Sequence, residues 1–183
     1  NQLIFIIIDC FRLDQWKQIS PLLKDDFEIN EDIHISILPT ATPFARNSIF
    51  SGLLPLELKN DYPDIWKKMF VNKEFNKHED ILFEELLNKN GYSDKTFSYL
   101  KISDYDSGIK LLNKINDYKN TDILGIVVNF VDILGHSRSE SKVLKELIPN
   151  ESAYSQSIYN WFQNSWLKDC FNEFINWNAD IVI

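Results

Sequence analysis

Leu3-Ile4-Phe5-Ile6-Ile7-Ile8-Asp9 lies near the start of the chain, and Leu124-Gly125-Ile126-Val127-Val128-Asn129-Phe130-Val131-Asp132 repeats its plan with one polar interruption at Asn129: an apolar, β-branched run that ends on an aspartate. A strand exposed on one face alternates apolar with polar residues. A run without alternation belongs to a strand covered on both faces, the condition of a parallel sheet with helices on each side. Working outward, residues 33–38 contribute His34-Ile35-Ser36-Ile37-Leu38 ahead of Pro39, and residues 179–183 contribute Ala179-Asp180-Ile181-Val182-Ile183. The expected strands are therefore 3–8, 33–38, 124–131 and 179–183, with a fainter signal at 96–100. Helical spacing fills the intervals. Ile81, Leu82, Leu86 and Leu87 mark one helix closed by Gly91; residues 108–118 carry Ile109, Leu112 and Ile115 on one face; Tyr154, Ile158, Trp161 and Phe162 mark a third helix. The fold class is α/β, a mostly parallel sheet flanked by helices.

The whole of 1–183 reads as one partial domain. There is no internal repeat, low-complexity tract or linker, and the aromatic-rich stretches 56–75 and 137–164 are the candidate cap insertions. The chain begins on Asn1 and stops inside its last strand, so the expectation is a piece of a longer protein. Of its residues, 44% are hydrophobic and 25% charged, the profile of a folded domain. Nineteen basic residues against 27 acidic ones give a formal charge of −8, which excludes a broad basic face for long duplex nucleic acid. No apolar run has the roughly 20 residues of a membrane span, and no stretch reads as the n-region and h-region of a signal peptide. Cys10 and Cys170 lie far apart without a CxxC, as in a reducing compartment, so a cytoplasmic protein is expected.

Ligands bind α/β sheets beyond the carboxyl ends of the strands. There the first run delivers Asp9, the second Thr40 and Thr42, and the third Asp132 followed by Gly135-His136. Singly, each has an ordinary explanation: a helix cap for Asp9, Thr40 or Thr42, a loop histidine for His136. Together they offer two carboxylates, an imidazole and a hydroxyl, a donor set suited to zinc or manganese and to a metal-activated alcohol nucleophile. Asp132 and His136 would reach one ion if a tight turn at Gly135 folded them together. Arg46 and Asn129 are further candidates for contact with phosphate oxygens, with surface or core satisfaction as the ordinary explanation of each.

Three stretches carry a family resemblance: Ile7-Ile8-Asp9-Cys10-Phe11-Arg12-Leu13-Asp14-Gln15-Trp16, Leu38-Pro39-Thr40-Ala41-Thr42-Pro43-Phe44-Ala45-Arg46-Asn47-Ser48-Ile49-Phe50-Ser51-Gly52-Leu53, and Val128-Asn129-Phe130-Val131-Asp132-Ile133-Leu134-Gly135-His136-Ser137. They resemble the alkaline phosphatase superfamily, most closely its PglZ-type domains, and among these the effector domain of PorX-type response regulators of type IX secretion. The resemblance implies a two-zinc phosphohydrolase. Asp9 matches a ligand of one ion, Thr42 the nucleophile that also touches it, and Asp132 and His136 two ligands of the other. Thr42 is preferred to Thr40 because the family sets its nucleophile at the head of the following helix. The family's remaining ligands, an Asp-His pair after the last strand and a later histidine, would lie beyond Ile183; His34 and His78 do not replace them. The implied activity is phosphodiester cleavage of short or cyclic oligonucleotides, with an N-terminal receiver domain and a homodimer as implied partners. The alternatives are a phosphomonoesterase or phosphomutase on the same scaffold, or a catalytically silent regulatory module.

Overall fold

The computed structural model describes residues 1–183. The chain forms two compact units, one made of Asn1–Glu31 with Thr96–Ile183 and one of Asp32–Lys95. The first, the sheet unit, holds strands β1 (Gln2–Ile8), β2 (Phe97–Ile102), β3 (Ile123–Val128) and β4 (Ala179–Val182). They form a four-stranded sheet in the order β2-β3-β1-β4, every pairing parallel. The expected α/β architecture is thus present. Its aliphatic runs explain the order: all six residues of β3 are buried, and β3 lies between β2 and β1.

Helices α1 (Leu13–Ile19), α6 (Tyr105–Lys114), α7 (Phe130–Glu140), α8 (Lys142–Leu147), α9 (Glu151–Gln163) and α10 (Trp166–Phe174) complete this unit. Ile4, Ile6, Leu124 and Ile126 from the strands meet Ile158, Phe162, Leu167, Phe171 and Phe174 from α9 and α10 in one buried cluster. α10 also packs on α6, where Gly108 makes the approach possible: a Cβ there would lie 2.1 Å from Nε1 of Trp166. The stretch 137–164, expected as a cap insertion, instead supplies Tyr154, Ile158 and Phe162 to this core.

Residues 33–38 are not a strand. They have no regular secondary structure, and Ile33, Ile35 and Leu38 are 74%, 85% and 86% exposed. Apolar composition makes a strand only where a neighbour completes the ladder, and no strand pairs with this segment. The outer position beside β3 goes to β2, whose Ser98 and Lys101 blur its apolar signal. β3 also ends at Val128, earlier than expected, because Phe130 already begins α7.

The second, the helical unit, contains α2 (Thr42–Ser51), α3 (Pro55–Asp61), α4 (Pro63–Val71) and α5 (Glu79–Lys89). α2 ends at Gly52 (φ 67°), and Gly91 (φ 84°) follows α5, the left-handed stop expected for it. α2 and α5 pack together through Phe50 and Phe83, with ring centroids 5.4 Å apart, and through a buried ion pair between Arg46 and Glu79. The compact segment is thus wider than the 56–75 expected as an insertion. No helix in the chain is long and apolar enough to cross a membrane.

Candidate active site

β1 and β3 are neighbours, yet the chain leaves them in opposite directions: after β1 toward β2, and after β3 toward β4. Such a switch point opens a crevice at the carboxyl edge of the sheet. Asp9 sits there, 7% exposed, its backbone N–H donating to the carbonyl of Val128 at 2.9 Å and extending the β1–β3 ladder by one step. Cys10 then takes a left-handed backbone (φ 60°), which turns the chain sharply off the sheet. Its Sγ donates to Oδ1 of Asp132 at 3.1 Å.

Asp132 lies in the first turn of α7, and His136 follows one turn later with Nε2 3.5 Å from the same Oδ1. The helical repeat brings the two together, so the tight turn expected at Gly135 is corrected: Gly135 is inside α7. Its lack of a side chain serves another contact. A Cβ there would lie 3.2 Å from Oη of Tyr154, which donates to the carbonyl of Val131 at 2.9 Å. Burial raises the Tyr154 phenol above its ordinary pKa, and the neighbouring Cys10 adds to the shift.

Beside these residues is a charged cluster that the sequence reading did not assemble. Arg12 donates twice to Asp14, at 2.8 and 2.9 Å, and once to Glu151 at 3.0 Å. Arg138 donates to the other oxygen of Glu151 at 2.9 Å and to the carbonyl of Ile148 at 2.8 Å. Both guanidiniums lie over the Tyr154 ring, 5.8 and 5.5 Å from its centroid. Hydrogen bonding to Asp14 and then to Glu151 raises the pKa of Arg12. Arg12 in turn holds Asp14 below the ordinary carboxylate range, and Arg138 followed by Arg12 does the same to Glu151. Arg12 stands two residues after Cys10 and Arg138 two after His136, a juxtaposition that only the folded chain makes visible.

In the helical unit, Thr42 is the first residue of α2 and is half-buried; Thr40 precedes the helix and is exposed. The N-cap is Ala41, so neither threonine occupies it. A hydroxyl at this position stands among the first free amides of the helix, where negative charge is favoured. Arg46 does not face a ligand. Its guanidinium is 4% exposed and bound to Glu79 at 2.5 Å, which assigns it to the interior. Asn129 is half-buried at the sheet edge as the N-cap of α7, its N–H donating to the carbonyl of Ile102 at 3.0 Å. His78 lies against Glu74 at 3.0 Å, and His34 is exposed in the irregular segment.

No group of three or more His, Cys, Asp and Glu side chains gathers around one point. Asp132 and His136 nevertheless place a carboxylate and an imidazole together, with the Cys10 sulfur against the same oxygen. That donor chemistry fits part of the coordination of a borderline divalent ion such as zinc. No curated protein matches the chain. The family model described as the BREX system PglZ alkaline phosphatase-like domain matches residues 1–166. With a match over most of its length, and Asp9 and Asp132 at one edge of a parallel sheet, the chain belongs to the PglZ family of alkaline phosphatase-like domains.

Proposed function

We propose that the protein is a metal-dependent phosphohydrolase, a zinc phosphodiesterase acting on short or cyclic oligonucleotides as the effector of a PorX-type response regulator. The observation that carries the reading is the Asp132–His136 pair on the first turns of α7, at the same sheet edge as buried Asp9, in a chain of this family. Asp132 and His136 would hold one ion; the family resemblance implies that Asp9 is a ligand of the other and Thr42 the nucleophile. Two zinc ions, when bound, lower the pKa of a bound hydroxyl and neutralise phosphoryl oxygens. Oγ1 of Thr42 attacks phosphorus in line, the alcohol leaving group departs, and water cleaves the phosphothreonine to restore the hydroxyl. The position of Thr42 at the head of α2 supports this role, since the amides there favour a phosphoryl group on its oxygen. The Cys10 thiol holds Oδ1 of Asp132 and so fixes the carboxylate rotamer.

The test is hydrolysis of bis-p-nitrophenyl phosphate and of p-nitrophenyl phosphate by the zinc-loaded protein, with metal content measured alongside. The expected result is preference for the diester and loss on chelation. Thr42→Ala should lower turnover by about 1000-fold or more, and Asp132→Ala should lower bound zinc. Retained turnover in Thr42→Ala moves the nucleophile elsewhere. Zinc-loaded protein that cleaves neither ester makes the domain a regulatory module.

A further inference from the structure

The helical unit has an outer face that the proposed chemistry leaves unused. Trp66 and Phe70 stand one turn apart on α4 with ring centroids 4.4 Å apart. Phe44 of α2 stacks on Phe70 at 5.2 Å and 24°, and Phe75 meets Phe70 edge-on at 5.9 Å. Met69, the inner residue of α4, is fully buried, whereas Phe44, Trp66 and Phe70 are only half-buried and Phe75 is 39% exposed. The turn that carries Phe75 is tethered: the Asn47 amide donates to the carbonyl of Phe75 at 2.9 Å and to that of Pro43 at 2.8 Å. Asn47 itself is fully buried.

Lysines are interleaved with these rings. Lys67, Lys68, Lys73 and Lys77 are all exposed, and none of them forms a salt bridge. Between Ile65 and Lys77 the one acid is Glu74, which lies against His78 at 3.0 Å. A chain of formal charge −8 thus concentrates four unpaired cations around a half-exposed aromatic cluster.

We propose that the Trp66–Phe70–Phe75 face with Lys67, Lys68, Lys73 and Lys77 is a contact surface for single-stranded nucleic acid, its bases stacking on the rings and its phosphates meeting the lysines. A duplex hides its base faces and would meet only the lysines. An acidic peptide would likewise satisfy the lysines and leave the rings without a planar partner. A single strand matches both, because stacking and backbone neutralisation are the two contributions to its binding. The surface rests on the diesterase reading only for the consequence that a bound strand is cleaved.

The experiment is fluorescence anisotropy of a labelled oligothymidylate titrated with the protein in EDTA across a salt series, so that no cleavage intervenes. Binding should weaken as salt rises. Phe75→Ala should weaken it about 5-fold or more. Lys73→Ala with Lys77→Ala should also flatten the dependence of log affinity on log salt by about 1.4, two single-strand phosphate contacts at about 0.7 each. Lys119→Ala with Lys145→Ala, an equal loss of charge on the sheet unit, should leave binding unchanged, and circular dichroism should match across the set. Absence of binding at low salt, equal affinity in Phe75→Ala, or an equal loss in the Lys119/Lys145 control overturns the surface. So does a polyglutamate peptide that binds and is not displaced by the strand. Retained hydrolysis of bis-p-nitrophenyl phosphate in any of these cases leaves the diesterase reading standing; bound strand with no hydrolysis of either ester does the reverse.

Discussion

Each unit of the chain contains an arginine–glutamate contact, and the two live in opposite solvents. In the helical unit, Arg46 and Glu79 are 4% and 0% exposed and join α2 to α5 through the interior. In the sheet unit, Glu151 is 65% exposed, and Arg12 and Arg138 reach it across the surface of Tyr154. The same residue types therefore do different work. A buried pair fixes how its helices meet, because separating the partners strands a charge in a low dielectric. An exposed cluster exchanges its partners for water at little cost and is screened by salt. The sheet unit can place its charges outside because aliphatic strands and aromatic helix residues already fill its core.

The comparison breaks first at Glu79. Glu79→Ala should destabilise the helical unit by about 3–5 kcal/mol, since it leaves the Arg46 guanidinium buried without this partner and removes one acceptor of the Asn76 amide. Hydrogen exchange over α2 and α5 is the readout, and wild-type protection in that variant would show that the pair is not what holds these helices together. Exchanging both partners, Arg46→Met with Glu79→Leu, should recover much of the loss, because no charge is then stranded. In the sheet unit the corresponding weak point is steric. Gly108→Ala should cost about 1–3 kcal/mol by forcing the Trp166 ring away from α6. A red shift of tryptophan emission and a lower denaturant midpoint would report it; an unchanged midpoint would mean that the ring yields freely.

The two units also differ in how well their sequences announce them. β3 is legible because six consecutive buried positions leave no room for polar residues, and β1 because its run is aliphatic from Leu3 to Ile8 apart from Phe5, with Asp9 standing out as the first break. α5 and α9 are legible from spacing and from the Gly91 stop. The segment 33–38 misleads, because its composition is that of a strand while pairing depends on a neighbour that no local pattern specifies. Arg46 is ambiguous for a related reason: an arginine one turn into the helix headed by Thr42 is compatible with a phosphate contact or with a core partner, and the partner, Glu79, lies far along the chain. In the candidate site, the spacing of Asp132 and His136 is visible in the sequence, but Gly135 between them suggests a turn where the chain is helical. The contact of Cys10 with Asp132, and the convergence of Arg12, Arg138 and Glu151 on Tyr154, link segments remote in sequence and have no local signature.

The smallest effect, and the sharpest test of the contrast, is the acid limb of the surface cluster. Arg138, and then Arg12, holds the Glu151 carboxyl below its ordinary range. A carboxylate whose folded pKa is depressed contributes stability that is fully present above its unfolded value, about 4.3. That contribution is lost as pH falls through the lower folded value. Asp14, lowered by Arg12, loses its share in the same direction, while both guanidiniums stay charged throughout. Glu151→Gln should therefore be slightly less stable than the wild type at neutral pH, and its decline below about pH 4.3 should be shallower, so that the two proteins converge in acid. Because the group is exposed, the difference between the two proteins should shrink as salt is added. Denaturant midpoints measured through the acid range at low and high salt decide it. Superimposable acid limbs would show that Glu151 gains nothing from its arginines, and a difference that persists in high salt would place this cluster with the buried Arg46–Glu79 pair.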